Sequence, residues 1–367
     1  MSPMLTGLSP TARTLCFPLS SFCCRTRHLS NCASREMGLE TMDKTHLIGE
    51  KKSVNFRLHN VSGYKTELLE IQAADPKLHV LFIPGNPGVV SFYADFLENL
   101  YELLDGTASI TGKTCLLLSS SVGYISHTKK NWEHRRLFSL EEQINHKMDF
   151  IKLELQNIEV PIILVGHSIG SYMSIEVLRR LPEKVIATIS VVYCIGLYPF
   201  LAVNTRSSEQ SSIRRLAKSP ILSAAASFAV GLLGLLPTKA SRFLVQHSVG
   251  KSWCTSAVEA LCTHVLQYHV MRNVLFLAMT EFKKLSETPD WKFMREKQSQ
   301  IAFLFGAEDH WGPLQMFDEI SSNVPGAALA VEREGHSHAF SCTTAGSLWV
   351  AHHVANLIKN RRISLSQ

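Results

Sequence analysis

From Ser53 the chain alternates apolar and polar positions, with Val54, Phe56 and Leu58 before a turn at Asn60-Val-Ser-Gly63. Beyond Tyr64 the alternation resumes at Leu68, Glu70 and Gln72. Period-2 patterning on both sides of a turn predicts a β-hairpin. Short apolar runs then recur at Val80–Ile83, Cys115–Leu118, Ile162–Val165, Val185–Val192, Ile301–Phe305 and Ala327–Val331. Helical patterns separate most of them. Glu141 to Leu155 is the clearest, with Ile144, Met148, Ile151 and Leu155 on one face. Buried apolar strands alternating with helices predict a mostly parallel sheet covered on both faces.

Composition sets few limits on this picture. The chain has 367 residues, enough for one large α/β domain with insertions. Its formal charge is +6, and four arginines (Arg13, Arg25, Arg27, Arg35) precede the first acid, Glu36. Most of the excess therefore sits in the first 45 or so residues, which show no apolar period. Residues 1–45 read either as an Arg- and Ser-rich presequence or as a disordered extension before an internal start at Met37 or Met42. No basic stripe with interleaved aromatics marks a nucleic-acid surface. The nine cysteines are odd in number and dispersed, which points to free thiols rather than a disulfide framework. No C-x-x-C pair or H-E-x-x-H signals a metal site, and no cofactor is implied.

The chemistry is concentrated where Pro161-Ile-Ile-Leu-Val165 runs into Gly166-His167-Ser168-Ile169-Gly170. An apolar strand meets G-x-S-x-G, and a helical pattern follows. That is the nucleophile elbow of an α/β-hydrolase. The serine sits on a sharp strand-to-helix turn in strained backbone, and side chains at positions 166 and 170 would clash. The turn lifts the Ser168 hydroxyl clear of the sheet and offers the Ile169 N–H to an oxyanion. The expected order is nucleophile, acid, base. Gly306-Ala-Glu-Asp309 follows a strand and supplies the acid, Asp309 with Glu308 as the alternative. Glu334-Gly-His-Ser-His338 supplies the base, with His338 chosen over His336 because Ala339-Phe340 can anchor a helix start beneath it. His167 is expected to orient by packing or hydrogen bonding. The second oxyanion donor is expected from Pro84-Gly-Asn-Pro-Gly88, where two prolines lack an N–H and Asn86 follows a glycine.

Between about Tyr198 and Gln298 the strand–helix rhythm stops, and a long, mainly helical insertion intervenes at the place of a lid or cap. The expected segments are 1–45, a first core part 50–197, the insertion 198–298 and a second core part 299–362. Within the insertion Ile221–Leu236 carries no charge, while Arg214, Arg215, Lys218, Lys239 and Arg242 flank it. It is shorter than the roughly 20 residues of a spanning helix. It reads either as a buried cap helix over the active site or as a monotopic element dipping into a lipid surface. Gly231 and Gly234 would let it bend into a hairpin.

Phe82-Ile-Pro-Gly-Asn-Pro-Gly88 with Phe92-Tyr93, Val165-Gly-His-Ser-Ile-Gly-Ser-Tyr172, Trp311-Gly-Pro313 and His338-Ala-Phe340 resemble the lipid droplet-associated hydrolases. The resemblance runs from about Val54 to Ile358. It implies an α/β-hydrolase fold with a helical cap insertion, located on lipid droplets and the endoplasmic reticulum. It also implies hydrolysis of cholesterol ester-type substrates by a triad mapping onto Ser168, Asp309 and His338. The apolar insertion corresponds to the region expected to meet the droplet.

Three readings of function follow. The first is a serine hydrolase of lipid esters at the droplet surface. The second is a droplet-binding protein with a hydrolase fold and little catalysis. The third is a soluble carboxylesterase or thioesterase, mitochondrial if residues 1–45 act as a presequence.

Overall fold

The computed structural model describes residues 54–71, 78–105, 117–129, 132–156, 160–181, 190–249 and 252–365. The expectations for residues 1–45, Gln72, Cys115 and 185–189 fall outside these. Eight strands form one sheet: β1 (Asn55–Val61), β2 (Tyr64–Ile71), β3 (Leu78–Ile83), β4 (Leu117–Val122), β5 (Ile162–His167), β6 (Val191–Leu197), β7 (Ile301–Gly306) and β8 (Ala328–Glu332). Their order is β1-β2-β4-β3-β5-β6-β7-β8. The predicted hairpin is β1–β2, closed by Ser62 and Gly63 at φ 50° and 89°. Two consecutive left-handed residues match the twist of the paired strands. β2 meets β4 antiparallel, and every pairing from β4 to β8 is parallel.

β3, β5 and β7 are buried along their whole length because both of their faces are covered. Val80 and Phe82 enter one layer while Leu81 and Ile83 enter the other. Helices α1 (Ala94–Asp105) and α11 (Thr344–Leu365) cover the first face. Helices α2 (Leu140–Glu154), α3 (Ile169–Arg180) and α10 (Leu314–Asn323) cover the second. α2 is the predicted helix, and it buries Ile144, Met148 and Ile151. Ser139 and Glu142 close a capping box at its start.

Two strands lie further along than their apolar runs suggested. A continuous apolar stretch has no internal mark for where pairing begins, so register with neighbours decides. β6 ends at Leu197 because its partners β5 and β7 fix it there.

Between β6 and β7 come α4 (Ser208–Lys218), α5 (Pro220–Gly234), α6 (Thr238–Val249), α7 (Thr255–Ala260), a π-helical turn (Leu261–Val265), α8 (Tyr268–Lys284) and α9 (Trp291–Glu296). α5 holds most of the uncharged segment, capped by Ser219 with Pro220 in its first turn. It is not a buried cap helix. Ile221 and Leu235 are 81% and 80% exposed, and only Ser223, Ser227 and Val230 are buried. It is not a hairpin either. A Cβ on Gly234 would lie 1.8 Å from the Leu266 carbonyl oxygen, so this glycine serves close packing rather than a bend. Among the described residues no single helix is long and apolar enough to cross a membrane. α4 and α5 together reach that length and apolarity, but they meet at 98°.

Candidate active site

The C-terminal edge of the parallel strands gathers every residue expected at the site. Ser168 stands between β5 and α3 with φ 55° and ψ −122°. That is a costly conformation for a residue with a Cβ, held here by the strand behind it and the helix ahead. The two elbow glycines are required by contact. A Cβ on Gly166 would lie 2.2 Å from the Gly170 oxygen, and one on Gly170 would lie 2.2 Å from the Ile83 oxygen.

Ser168, His338 and Asp309 form one buried hydrogen-bonded chain. The Ser168 hydroxyl donates to His338 Nε2 at 2.9 Å, and His338 Nδ1–H donates to Asp309 Oδ2 at 2.8 Å. The second Asp309 oxygen accepts the Trp311 N–H at 2.9 Å, which fixes the carboxylate. An imidazole held this way keeps its proton on Nδ1 and offers Nε2 as acceptor. Such a constellation can take a proton from the serine hydroxyl as its oxygen attacks. Glu308 is exposed on the same loop and His336 lies outside this chain, its N–H donating to Glu332.

The Pro84–Gly88 loop follows β3. Gly85 N–H donates to the Tyr93 hydroxyl, and Gly88 N–H donates to His127 Nδ1, both at 3.0 Å. Pro84 and Pro87 have no N–H. Among the described residues this leaves Asn86 as the loop member with an uncommitted amide. Ile169 is the first residue of α3, so its N–H is one of the helix's unpaired donors. The loop is held by further contacts, including Tyr124 O–H donating to the Pro84 oxygen at 2.6 Å.

Two features were not foreseen in full. Tyr93 accepts from Gly85 and donates to His167 Nδ1 at 2.8 Å, while His167 Nε2–H donates to the His338 backbone oxygen at 2.9 Å. His167 thus works by hydrogen bonding, as expected, but its partners were not legible. Burial holds its imidazole neutral, with the nearby His338 acting the same way. The second feature is Glu281 on α8, a buried acid in the wall of the site. Burial pushes its carboxyl up to about 8. Its only mark in the sequence is a lone acid sharing a helical face with Val274 and Ala278.

Around Ser168 lies a cavity of about 90 Å³ lined mostly by apolar side chains, among them Phe92, Trp253, Leu261, Val265, Met271 and Trp311. Leu261 and Val265 come from the π turn, and Met271 comes from α8. None comes from α5, so the helices over the site are not the uncharged one.

The sheet order and a serine elbow backed by histidine and aspartate at the strand ends define an α/β-hydrolase. Residues 76–341 match the family described as Lipid-droplet associated hydrolase. The lipid droplet-associated hydrolase of Dictyostelium discoideum is 28% identical over 297 residues, covering 75% of this chain and 86% of its own length. That of Rattus norvegicus is 27% identical over 316 residues, covering 82% and 90%. An epoxide hydrolase from Vigna radiata has a similar fold, with TM-score 0.57 at 14% identity over 85% of this chain and 100% of that one. The chain belongs to the lipid droplet-associated hydrolase family.

Proposed function

We propose that the protein hydrolyses lipid esters at the surface of lipid droplets through a serine acyl-enzyme. The observation that carries this reading is the continuous chain from Ser168 Oγ through His338 to Asp309 at the tip of a strained elbow. His338 Nε2 takes the hydroxyl proton as Ser168 Oγ bonds to the ester carbonyl carbon. The Asn86 and Ile169 N–H groups hold the oxyanion. The tetrahedral intermediate collapses, and His338 gives its proton to the departing alcohol. Water then attacks the acyl-enzyme with His338 again as base, and the proton returns to Ser168. Asp309 holds the imidazole in the tautomer this needs and stabilises the imidazolium.

The apolar lining favours a hydrocarbon substrate, and cholesterol ester-type substrates are those the family resemblance implies. The cavity of about 90 Å³ is smaller than the roughly 150 Å³ that holds one benzene ring. A long-chain ester therefore requires the π turn and α8 to yield.

The family name supports a droplet location, and the outer face of the insertion suits it. Ile221, Phe228, Leu232 and Leu235 of the α5 region and Phe243 and Leu244 of α6 are exposed. Lys218 and Lys239 stand exposed at its margins. Such a surface with basic edges fits a monotopic contact with an endoplasmic reticulum or droplet monolayer. The core (50–197 and 299–362) carries the Ser168, Asp309 and His338 side chains, while the insertion (198–298) supplies both a wall of the cavity and the exposed apolar face.

The test is fluorophosphonate labelling of the purified chain and of Ser168→Ala, with and without a triolein–phospholipid emulsion. Labelling confined to the unsubstituted chain, and increased by the emulsion, supports the proposal. Absent labelling under both conditions rejects it in favour of a droplet-binding protein without catalysis.

A further inference from the structure

The Asn86 side chain is the join between the Pro84–Gly88 loop and helix α8. Its Nδ2 donates to the Val274 carbonyl oxygen at 3.0 Å and to Glu281 Oε1 at 3.2 Å. Both amide hydrogens are thereby used. Its Oδ1 is buried and, among the described residues, has no donor. A buried acceptor left unpaired is costly, and native structures seldom tolerate one. The group that Nδ2 of the same carboxamide meets is the Glu281 carboxyl. A carboxylate can only accept, whereas a carboxylic acid accepts with one oxygen and donates with the other.

We propose that Glu281 is a protonated positioning residue, whose acid proton is donated to Asn86 Oδ1 so that carboxyl and carboxamide clasp each other. This rests on the reading of the Asn86 N–H as an oxyanion donor. The clasp fixes the peptide that carries that N–H. It also keeps the cavity wall neutral where an oxyanion develops.

The surroundings agree with a neutral acid. Glu281 is 4% exposed, and among the described residues no cation pairs with it. Tyr124 faces it from beyond β4, and Tyr93 lies beside Tyr124. His167 and His338 line the same cavity. Lys147 and His146 of α2 are themselves buried, with Lys147 Nζ 4.8 Å from the Tyr124 ring centre. Burial drives both of those groups toward their neutral forms. His127, bonded to Gly88, is held neutral by burial too. Arg214 and Arg215 of α4 and Lys283 and Lys284 of α8 are exposed, Arg272 bonds Ser223, and α5 has no charged residue. Glu176, Arg179 and Arg180 of α3 pair among themselves, and Arg180 also pairs with Glu141 of α2. With burial as the dominant influence, the carboxyl keeps its proton up to about pH 8.

Above that pH the proton leaves, Asn86 loses its donor, and an anion stands beside the developing oxyanion. Glu281→Gln supplies a donor and an acceptor in the same places and cannot ionise. Glu281→Leu supplies neither.

The experiment measures kcat and KM for p-nitrophenyl butyrate from pH 6 to 10 in the unsubstituted chain, E281Q and E281L, subtracting Ser168→Ala. At pH 7 E281L is expected to lose roughly tenfold or more in kcat with little change in KM, and E281Q to restore most of it. The unsubstituted chain is expected to lose kcat above about pH 8, and E281Q to hold it. The same alkaline fall in E281Q, or no loss in E281L, overturns the proposal. Thermal melting gives a readout that needs no turnover. An acid whose folded pKa is raised binds a proton that the unfolded chain has released, so its stabilisation fades as pH rises from about 4.5 to about 8. E281Q should therefore gain in melting temperature over the unsubstituted chain across that window. Parallel melting curves overturn the protonated clasp. Absent hydrolysis alongside a diverging pair rejects the esterase reading instead.

Discussion

His167 Nε2–H donates to the backbone oxygen of His338 at 2.9 Å, so the residue before Ser168 holds the residue that bonds Ser168. Through Tyr93 the same imidazole reaches Gly85. One neutral histidine thus ties the elbow, the Pro84–Gly88 loop and the loop after β8 into a unit. Its tautomer is fixed by its partners, with Nδ1 accepting from Tyr93 and Nε2 donating to His338.

His167→Ala leaves a buried hydroxyl and a buried carbonyl without their partner. We expect a loss of about 1–3 kcal/mol in stability. A fall in kcat with little change in KM should accompany it, because the geometry of the base is disturbed rather than the substrate wall. Urea unfolding and steady-state kinetics on p-nitrophenyl butyrate measure the two effects. An unchanged kcat would show that the His338 loop holds its place unaided.

Asp309→Asn lets the imidazole settle in the wrong tautomer while keeping the shape of the site. We expect kcat to fall by roughly 10³–10⁴-fold with the fold intact, the magnitude seen when a serine protease triad is altered this way. Circular dichroism and turnover of the same preparation are the check. Substituting the exposed Glu308 with Gln should leave kcat within about twofold.

Gly234→Ala places a methyl group against the Leu266 carbonyl, where a Cβ would lie only 1.8 Å from oxygen. α5 must shift from the chain leading into α8, at a cost of about 1–3 kcal/mol. Denaturant unfolding measures it. The effect should be larger than for Gly231→Ala, whose nearest neighbour would lie at 3.2 Å.

Phe228→Asp combined with Leu235→Asp changes exposed side chains only, so the melting temperature should move little. Flotation with triolein–phospholipid emulsions should fall sharply, because two charges would enter the apolar face. Flotation equal to that of the unsubstituted chain would remove the α5 face from the attachment surface.

His127 is buried against Lys147 and His269, and burial first, then those charges, lower its pKa to about 3. The unfolded residue has a pKa near 6.5, so below that pH the unfolded chain binds a proton the folded chain refuses. Stability should fall by about 1.4 kcal/mol per pH unit from this group between about pH 6.5 and about pH 3. Urea unfolding at pH 7.5, 6.5 and 5.5 should show a shallower acid slope in His127→Gln. Parallel slopes would mean that the imidazole takes a proton without unfolding.

The amino-acid order determined the elements of this protein and the kind of site it carries. Apolar runs of strand length between helical periods are properties of short windows, so they foretold a parallel sheet covered on both faces. The elbow was legible for the same reason, since the G-x-S-x-G pattern lies within five residues, although only Gly166 answers to a local neighbour and Gly170 answers to Ile83 on β3. Candidates for acid and base followed from position after a strand, with Asp309 preferred to Glu308 and His338 to His336, but the hydrogen bonds that join the preferred pair to Ser168 depend on packing. Each pair sits on one loop, and a loop's direction is set by what lies across from it. Register moved β6 along its apolar run for a similar reason, because pairing energy comes from neighbours distant in sequence. The uncharged segment had a composition that suited a buried cap, a hairpin or a surface helix. Only the approach of Leu266 to Gly234 and the exposure of Ile221 and Leu235 left it as an exposed helix. The Tyr93–His167–His338 tie and the meeting of Asn86 with Glu281 belong wholly to the tertiary structure. Their partners stand up to 195 residues apart, and hydrogen bonds across such distances leave no period or spacing in the sequence.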